Sequence, residues 1–133
     1  MKQALLLSLV IVGGCGSSTT VVTPASPPPV EDNFFATWEI DSASFGGSID
    51  CASVGAATVD MDIVNSDTGN RFVDTFDCNA YQGTSGPVDV GNFDILLQLT
   101  DPSGGVITQV DIGTENVSTA GTIDLGHFIF TLP

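Results

Sequence analysis

"FDILLQLTDPSGGVI", residues 93–107, decides the fold. Phe93, Ile95, Leu97 and Leu99 fall on alternate positions, with Asp94, Gln98 and Thr100 on the other set. A period of two marks a strand with one face in a core and one in water. Asp101-Pro102-Ser103-Gly104-Gly105 then supplies turn chemistry, and Val106 to Ile112 resumes the extended pattern. Two strands folded back on each other are expected here.

The same rhythm runs upstream and downstream. Phe34, Ala36, Trp38 and Ile40 share one face of a first strand, with Phe35, Thr37, Glu39 and Asp41 opposite. Val59, Met61 and Ile63 alternate with Thr58, Asp60 and Asp62. After the turn "NSDTGN" (65–70), Arg71 to Asp77 places Phe72 and Phe76 on one side. A brief strand is expected at Val88 to Val90, and a last one around Thr122 to Leu132 with a bulge at Gly126. Nothing sustains a helical period beyond a short turn at "DCASVGA". About seven strands separated by Gly, Asp, Asn and Ser turns predict an all-β fold, an antiparallel Greek-key β-sandwich. A domain of this size buries about two thirds of its unfolded surface, enough for one core.

The opening of the chain has a different composition. Met1-Lys2-Gln3 carries one positive charge, and Ala4 to Val12 is apolar except for Ser8. That run is far short of the ~20 residues a spanning helix needs, and it fits the core of a secretory signal. Val12-Gly13-Gly14-Cys15 resembles the bacterial lipobox. The resemblance implies removal of residues 1–14 as a lipoprotein signal peptide. It also implies a diacylglycerol on the Cys15 sulfur and acylation of the new amino group. Two or more acyl chains give stable attachment at about 0.8 kcal/mol per buried methylene. Gly16 follows the cysteine where an aspartate would favour inner-membrane retention, so the expected address is the bacterial cell envelope, by default the outer membrane. Residues 15–33 are rich in Ser, Thr and Pro. They read as a disordered linker, reaching roughly 25 Å as a flexible coil. The β-sandwich domain is then residues 34–133.

The stretches "TWEI", "GAATVDMDI", "FDC" and "VGNFDILLQLTDPSGGVI" resemble small Greek-key sandwich modules of bacterial surface lipoproteins. These are similar to carboxypeptidase-regulatory, transthyretin-like and Cna-B-like domains, within the wider immunoglobulin-like group. The resemblance covers roughly residues 34 to 132. An isopeptide cross-link of the Cna-B kind needs a strand lysine, and the chain has no lysine after Lys2.

Hydrophobic residues make up 42% of the chain and charged ones 14%, which suits a globular core. The charge is one-sided: 16 Asp and Glu against 2 Lys and Arg, a formal net charge of -14. Nucleic acid is excluded as a partner, because phosphate neutralisation needs Lys and Arg. The spread of acids reads first as a solvated, self-repelling surface, and second as a cation site or a face for a basic partner.

With Cys15 assigned to lipid, Cys51 and Cys78 remain as an even pair, expected to oxidise outside the cytoplasm, the other reading being two buried thiols. Catalytic signatures are scarce. The single histidine, His127, sits in "LGHFIF" among apolar residues, where a structural role is the commoner one. No Gly-x-Ser-x-Gly elbow and no phosphate-binding loop occur. The chain is expected not to be an enzyme, and to need no cofactor unless it takes calcium.

Calcium prefers oxygen ligands. Its best site would combine Asn65, Asp67 and Asn70 of the turn with Asp60 and Asp62 of the strand before it, although a plain hairpin turn explains the loop equally. Carbohydrate binding would call on exposed aromatics, with Tyr81 in a loop and Phe35 on an outward face as candidates. The expected role is therefore structural or interactive. The membrane is engaged through the lipid, and an envelope or extracellular protein is the partner. A calcium- or carbohydrate-binding module using acidic loops is the alternative.

Overall fold

The structure, a computed structural model, describes residues 32–133. The signal peptide, Cys15 and nearly all of the linker lie outside the described residues. Eight strands follow in order: β1 Asp32–Ser42, β2 Gly47–Ile49, β3 Thr58–Asn65, β4 Arg71–Asp77, β5 Gln82–Thr84, β6 Gly91–Thr100, β7 Val106–Val117 and β8 Gly121–Leu132. Single 3-10 turns occupy Ala52–Val54 and Cys78–Ala80.

Two four-stranded sheets face each other. One has the order β4-β3-β6-β7, antiparallel throughout. In the other, β1 is central. It pairs with β8 along one side, and on the other with β5 near its start and β2 near its end. β3 and β6 lie side by side although β4 and β5 intervene in sequence, the Greek-key manner of connection.

The alternation fixes which face is inside. Phe34, Ala36, Trp38 and Ile40 of β1 are buried, as are Val59, Met61 and Ile63 of β3 and Phe93, Ile95, Leu97 and Leu99 of β6. These three inner strands supply most of the core, because each has a neighbour on both sides and a facing sheet above it. Across the interface Phe34 meets Phe93 edge to face, ring centroids 5.8 Å apart. Such pairs add about 0.5–1.5 kcal/mol beyond their area.

The 93–107 stretch folds as its pattern requires. Asp101 Oδ1 accepts from the amides of Ser103 and Gly105 and from the Ser103 hydroxyl, closing the β6–β7 turn. In the β3–β4 turn, Asn65 Oδ1 accepts from the amides of Asp67 and Thr68.

Three details depart from the expectation. β1 and β8 run parallel, Asp32 opposite Gly121 and Ser42 opposite Leu132. Hairpin neighbours are antiparallel, whereas a parallel pair needs a crossover. Here the crossover passes through the whole of the other sheet. Residues 88–90 form no strand; Val88 makes one bridge to Asp32. Two three-residue strands, β2 and β5, appear instead. They are too short and too glycine-rich to show alternation. The expected bulge is present: the β1–β8 register slips between Phe35 and Ala36, opposite Asp124 and Gly126, with Gly126 at φ 108°. A residue with a Cβ is strained at that angle.

Candidate functional site

The outer face of the β1 sheet carries Thr37 and Glu39 on alternate positions. The parallel register sets His127 beside Thr37. His127 Nε2 lies 2.7 Å from Glu39 Oε2, and its Nδ1 lies 2.9 Å from Thr37 Oγ1. With Nε2 donating to the carboxylate, a neutral ring accepts the Thr37 proton at Nδ1. A protonated ring donates from both nitrogens, leaving the Thr37 hydroxyl to donate to the Gly126 carbonyl at 3.4 Å. The imidazole is about half exposed, so the pair is a surface pair and contributes at most about 1 kcal/mol.

Thr37, His127 and Glu39 have the contact order of nucleophile, base and orienting carboxylate. The β1 amides do not supply them with an oxyanion hole. Such a hole needs free donors aimed at one point above the hydroxyl. Here β1 has ladder neighbours on both sides around Thr37, Gln82 on one and His127 on the other. Its N–H groups therefore lie in the plane of the sheet.

Beside this cluster the β1 edge is interrupted, because β5 starts opposite Thr37 and β2 ends opposite Ile40, leaving Trp38 and Glu39 between them. Tyr81 fills the gap. Its carbonyl accepts from the Trp38 amide at 3.0 Å, and its own amide donates to the Cys78 carbonyl at 3.2 Å. It adopts φ 56° and ψ 14°, the left-handed region, alone among the described non-glycine residues. Its side chain stays in contact with solvent, 37% exposed. Trp38, Glu39, Ser48, Ile49, Asp50, Tyr81 and His127 line a recess of about 420 Å³. Asp50 accepts from the Ser53 amide at 2.8 Å. The Ser53 hydroxyl first, and then that amide, hold its carboxyl below the usual carboxylate range.

The recess is anchored from behind. Cys51 and Cys78 form a disulfide, Cα atoms 6.1 Å apart, across 27 residues of sequence. A loop of that length contributes roughly 3–4 kcal/mol by restricting the unfolded chain. Both cysteines are fully buried.

Of the residues singled out for calcium, all but Asp60 have other partners. Asp62 is 7% exposed and holds Arg71 through two hydrogen bonds, from Nε at 2.7 Å and from Nη2 at 2.6 Å. That contact, first through the hydrogen bonds and then through the opposite charge, raises the Arg71 pKa. Asn65 Oδ1 is occupied by the turn amides, and Asp67 Oδ2 accepts from the Asn92 amide at 3.3 Å. Asn70 donates its amide to Thr68 Oγ1. Asp60 shares the outer face of β3 with Asp62, and its Oδ1 has no hydrogen-bond partner. Among the described residues no three His, Cys, Asp or Glu side chains gather as metal ligands.

Sequence reading placed Thr37 and Glu39 on an outward face but did not bring His127 to them. The link depends on a parallel pairing between residues 90 apart, for which local pattern carries no signal. Asp50 and Ser48 were likewise missed, because β2 is only three residues long.

No protein-family model matches the chain. No curated protein matches it either. Among solved structures, a leucine-rich repeat protein from Bacteroides thetaiotaomicron aligns with 93% of this chain at 15% identity and a TM-score of 0.31. The chain spans 16% of that protein's length. Among the described residues no helix is long and apolar enough to cross a membrane.

Proposed function

We propose that this chain is a non-catalytic recognition module of a bacterial cell envelope, held to the membrane by acyl chains on Cys15. The sandwich is the body, residues 16–31 are the tether, and the outer face of the β1 sheet is the working surface. One observation carries the reading of that surface. The chain's single histidine, single tyrosine and two carboxylates gather at one recess, and the β1 amides beside them are turned into the plane of the sheet. Such a place can hold a ligand but is poorly built to turn one over.

The lipobox-like residues 12–15 and the Ser/Thr/Pro composition after them support the anchor and its spacing. An outer-membrane destination follows from Gly16 rather than aspartate after the cysteine.

Mass spectrometry of the chain recovered from its host tests the anchor. The expected product begins at Cys15 with a diacylglyceryl thioether and an acylated amino group. Cys15→Ala moves the protein to the soluble fraction. An unmodified Cys15 with residues 1–14 still attached overturns the anchored reading. In-cell crosslinking then identifies the neighbours of the sandwich.

A further inference from the structure

We propose that the recess between β5 and β2 is a binding site for one pyranose ring of a neutral glycan, with Tyr81 as its stacking platform. The assignment deepens the recognition role of the same surface, and it does not depend on the lipid.

The platform is rigid. Tyr81 is bonded to β1 through its carbonyl and to Cys78 through its amide. Cys78 is in turn fixed by its disulfide and by the Trp38 indole, whose Nε1 donates to its carbonyl at 3.1 Å. A backbone held this way is already in place before a ligand arrives, so little main-chain freedom is lost on binding. Its left-handed backbone would suit Gly, Asn or Asp better. A tyrosine kept there against backbone preference, with its ring in water, suggests that the ring is used.

The polar groups select the ligand. Glu39 and Asp50 offer carboxylate oxygens as acceptors. Ser48 offers a hydroxyl, while both His127 nitrogens are taken by Glu39 and Thr37, so the ring holds Glu39 in place. No Lys or Arg lines the recess, and the chain's net charge is -14, so phosphates, nucleotides and uronates are repelled. An apolar ligand would strip water from two carboxylates and return nothing. A cationic amine would compete with His127 for Glu39, whose Oε2 already sits 2.7 Å from Nε2. A neutral sugar brings no charge to draw Glu39 away from His127, and its hydroxyls can use the other Glu39 oxygen. Its hydroxyls donate to the carboxylates and accept from the serine, while its C–H face covers the tyrosine. About 420 Å³ falls within the ~300–1,000 Å³ typical of small-ligand sites.

The test is a glycan array of neutral and acidic oligosaccharides probed with the purified 133-residue chain, followed by NMR titration with the best neutral binder and with spermidine. The expected result is saturable binding of a neutral glycan, with resonances of Asp50, Tyr81 and His127 moving and spermidine leaving them still. Tyr81→Gly and Tyr81→Asn both tolerate the left-handed backbone and remove the ring. Each is expected to weaken binding by about tenfold or more without altering the remaining spectrum. Three results overturn the proposal: no neutral glycan bound, binding of spermidine or acidic glycans alone, or unchanged affinity in both variants. Because lipidation is read separately by mass spectrometry, failure here leaves the anchored reading standing.

Discussion

The indole N–H of Trp38 donates to the carbonyl of Cys78 at 3.1 Å, tying the centre of β1 to the disulfide-bearing turn. Trp38 is 1% exposed and leans on Phe76, ring centroids 6.1 Å apart. Trp38→Phe removes this bond and leaves space where the larger ring was. The Cys78 carbonyl keeps its bond from the Tyr81 amide, which limits the loss. The expected cost is about 1.5–3 kcal/mol. Denaturant unfolding would show a lower midpoint at unchanged slope.

Replacing Cys51 and Cys78 together by alanine is expected to cost roughly 3–4 kcal/mol. The check is denaturant unfolding of the double variant beside the parent chain. Parent chain treated with reductant should fall to a comparable midpoint.

Gly83 on β5 lies against Phe76: a Cβ at that position would sit 2.6 Å from the ring. The site is buried, and the ring is packed against the core, so the clash has no easy outlet. Gly83→Ala is expected to destabilise by about 1–3 kcal/mol. Shrinking the ring should relieve it. Gly83→Ala with Phe76→Leu is expected to cost less than the sum of the two single changes, and a double-mutant cycle measures the difference.

The β6–β7 turn is expected to depend on acid. The Ser103 hydroxyl first, and then the amides of Gly105, Ser103 and Gly104, hold the Asp101 carboxyl below the usual carboxylate range. Because the folded pKa lies below the unfolded one, the contribution is present above the ordinary carboxylate pKa. It is lost as the pH falls through the lowered folded value. Amide exchange at Ser103 and Gly105, followed by NMR, should stay protected at neutral pH and open on acidification. In Asp101→Asn the same amides should be less protected at neutral pH and lose that dependence.

Much of the fold was legible because its elements declare themselves locally. β1 alternates strictly and β3 and β6 nearly so, Asp62 and Thr100 being buried on the face expected in water. The turns at 65–70 and 101–105 carry Asn, Asp, Ser and Gly where side chains must close them. The strands "GSI" and "QGT" left no such trace, since three residues cannot establish a period. The candidate site was legible only in pieces. Glu39 and Thr37 were placed on an outward strand face, and Tyr81 in a loop. The contact of Glu39 and Thr37 with His127 is a product of long-range register. The calcium constellation was read from nearness in sequence. Sequence proximity suggested a shared role for Asp62 and Asn65, while local chemistry gave one to Arg71 and the other to its own turn.

The pairing of the first strand with the last, Asp32 beside Gly121, has a consequence for how the protein is made. Of the eight described strands β1 leaves the ribosome first, yet its full-length neighbour leaves last. Until then the middle of one sheet has only two three-residue partners, and the buried row from Phe34 to Ile40 has half its cover missing. The sandwich therefore stays open until Leu132 is out. A chain cut at residue 120 should remain unfolded, and adding the missing strand as a separate peptide should rescue it.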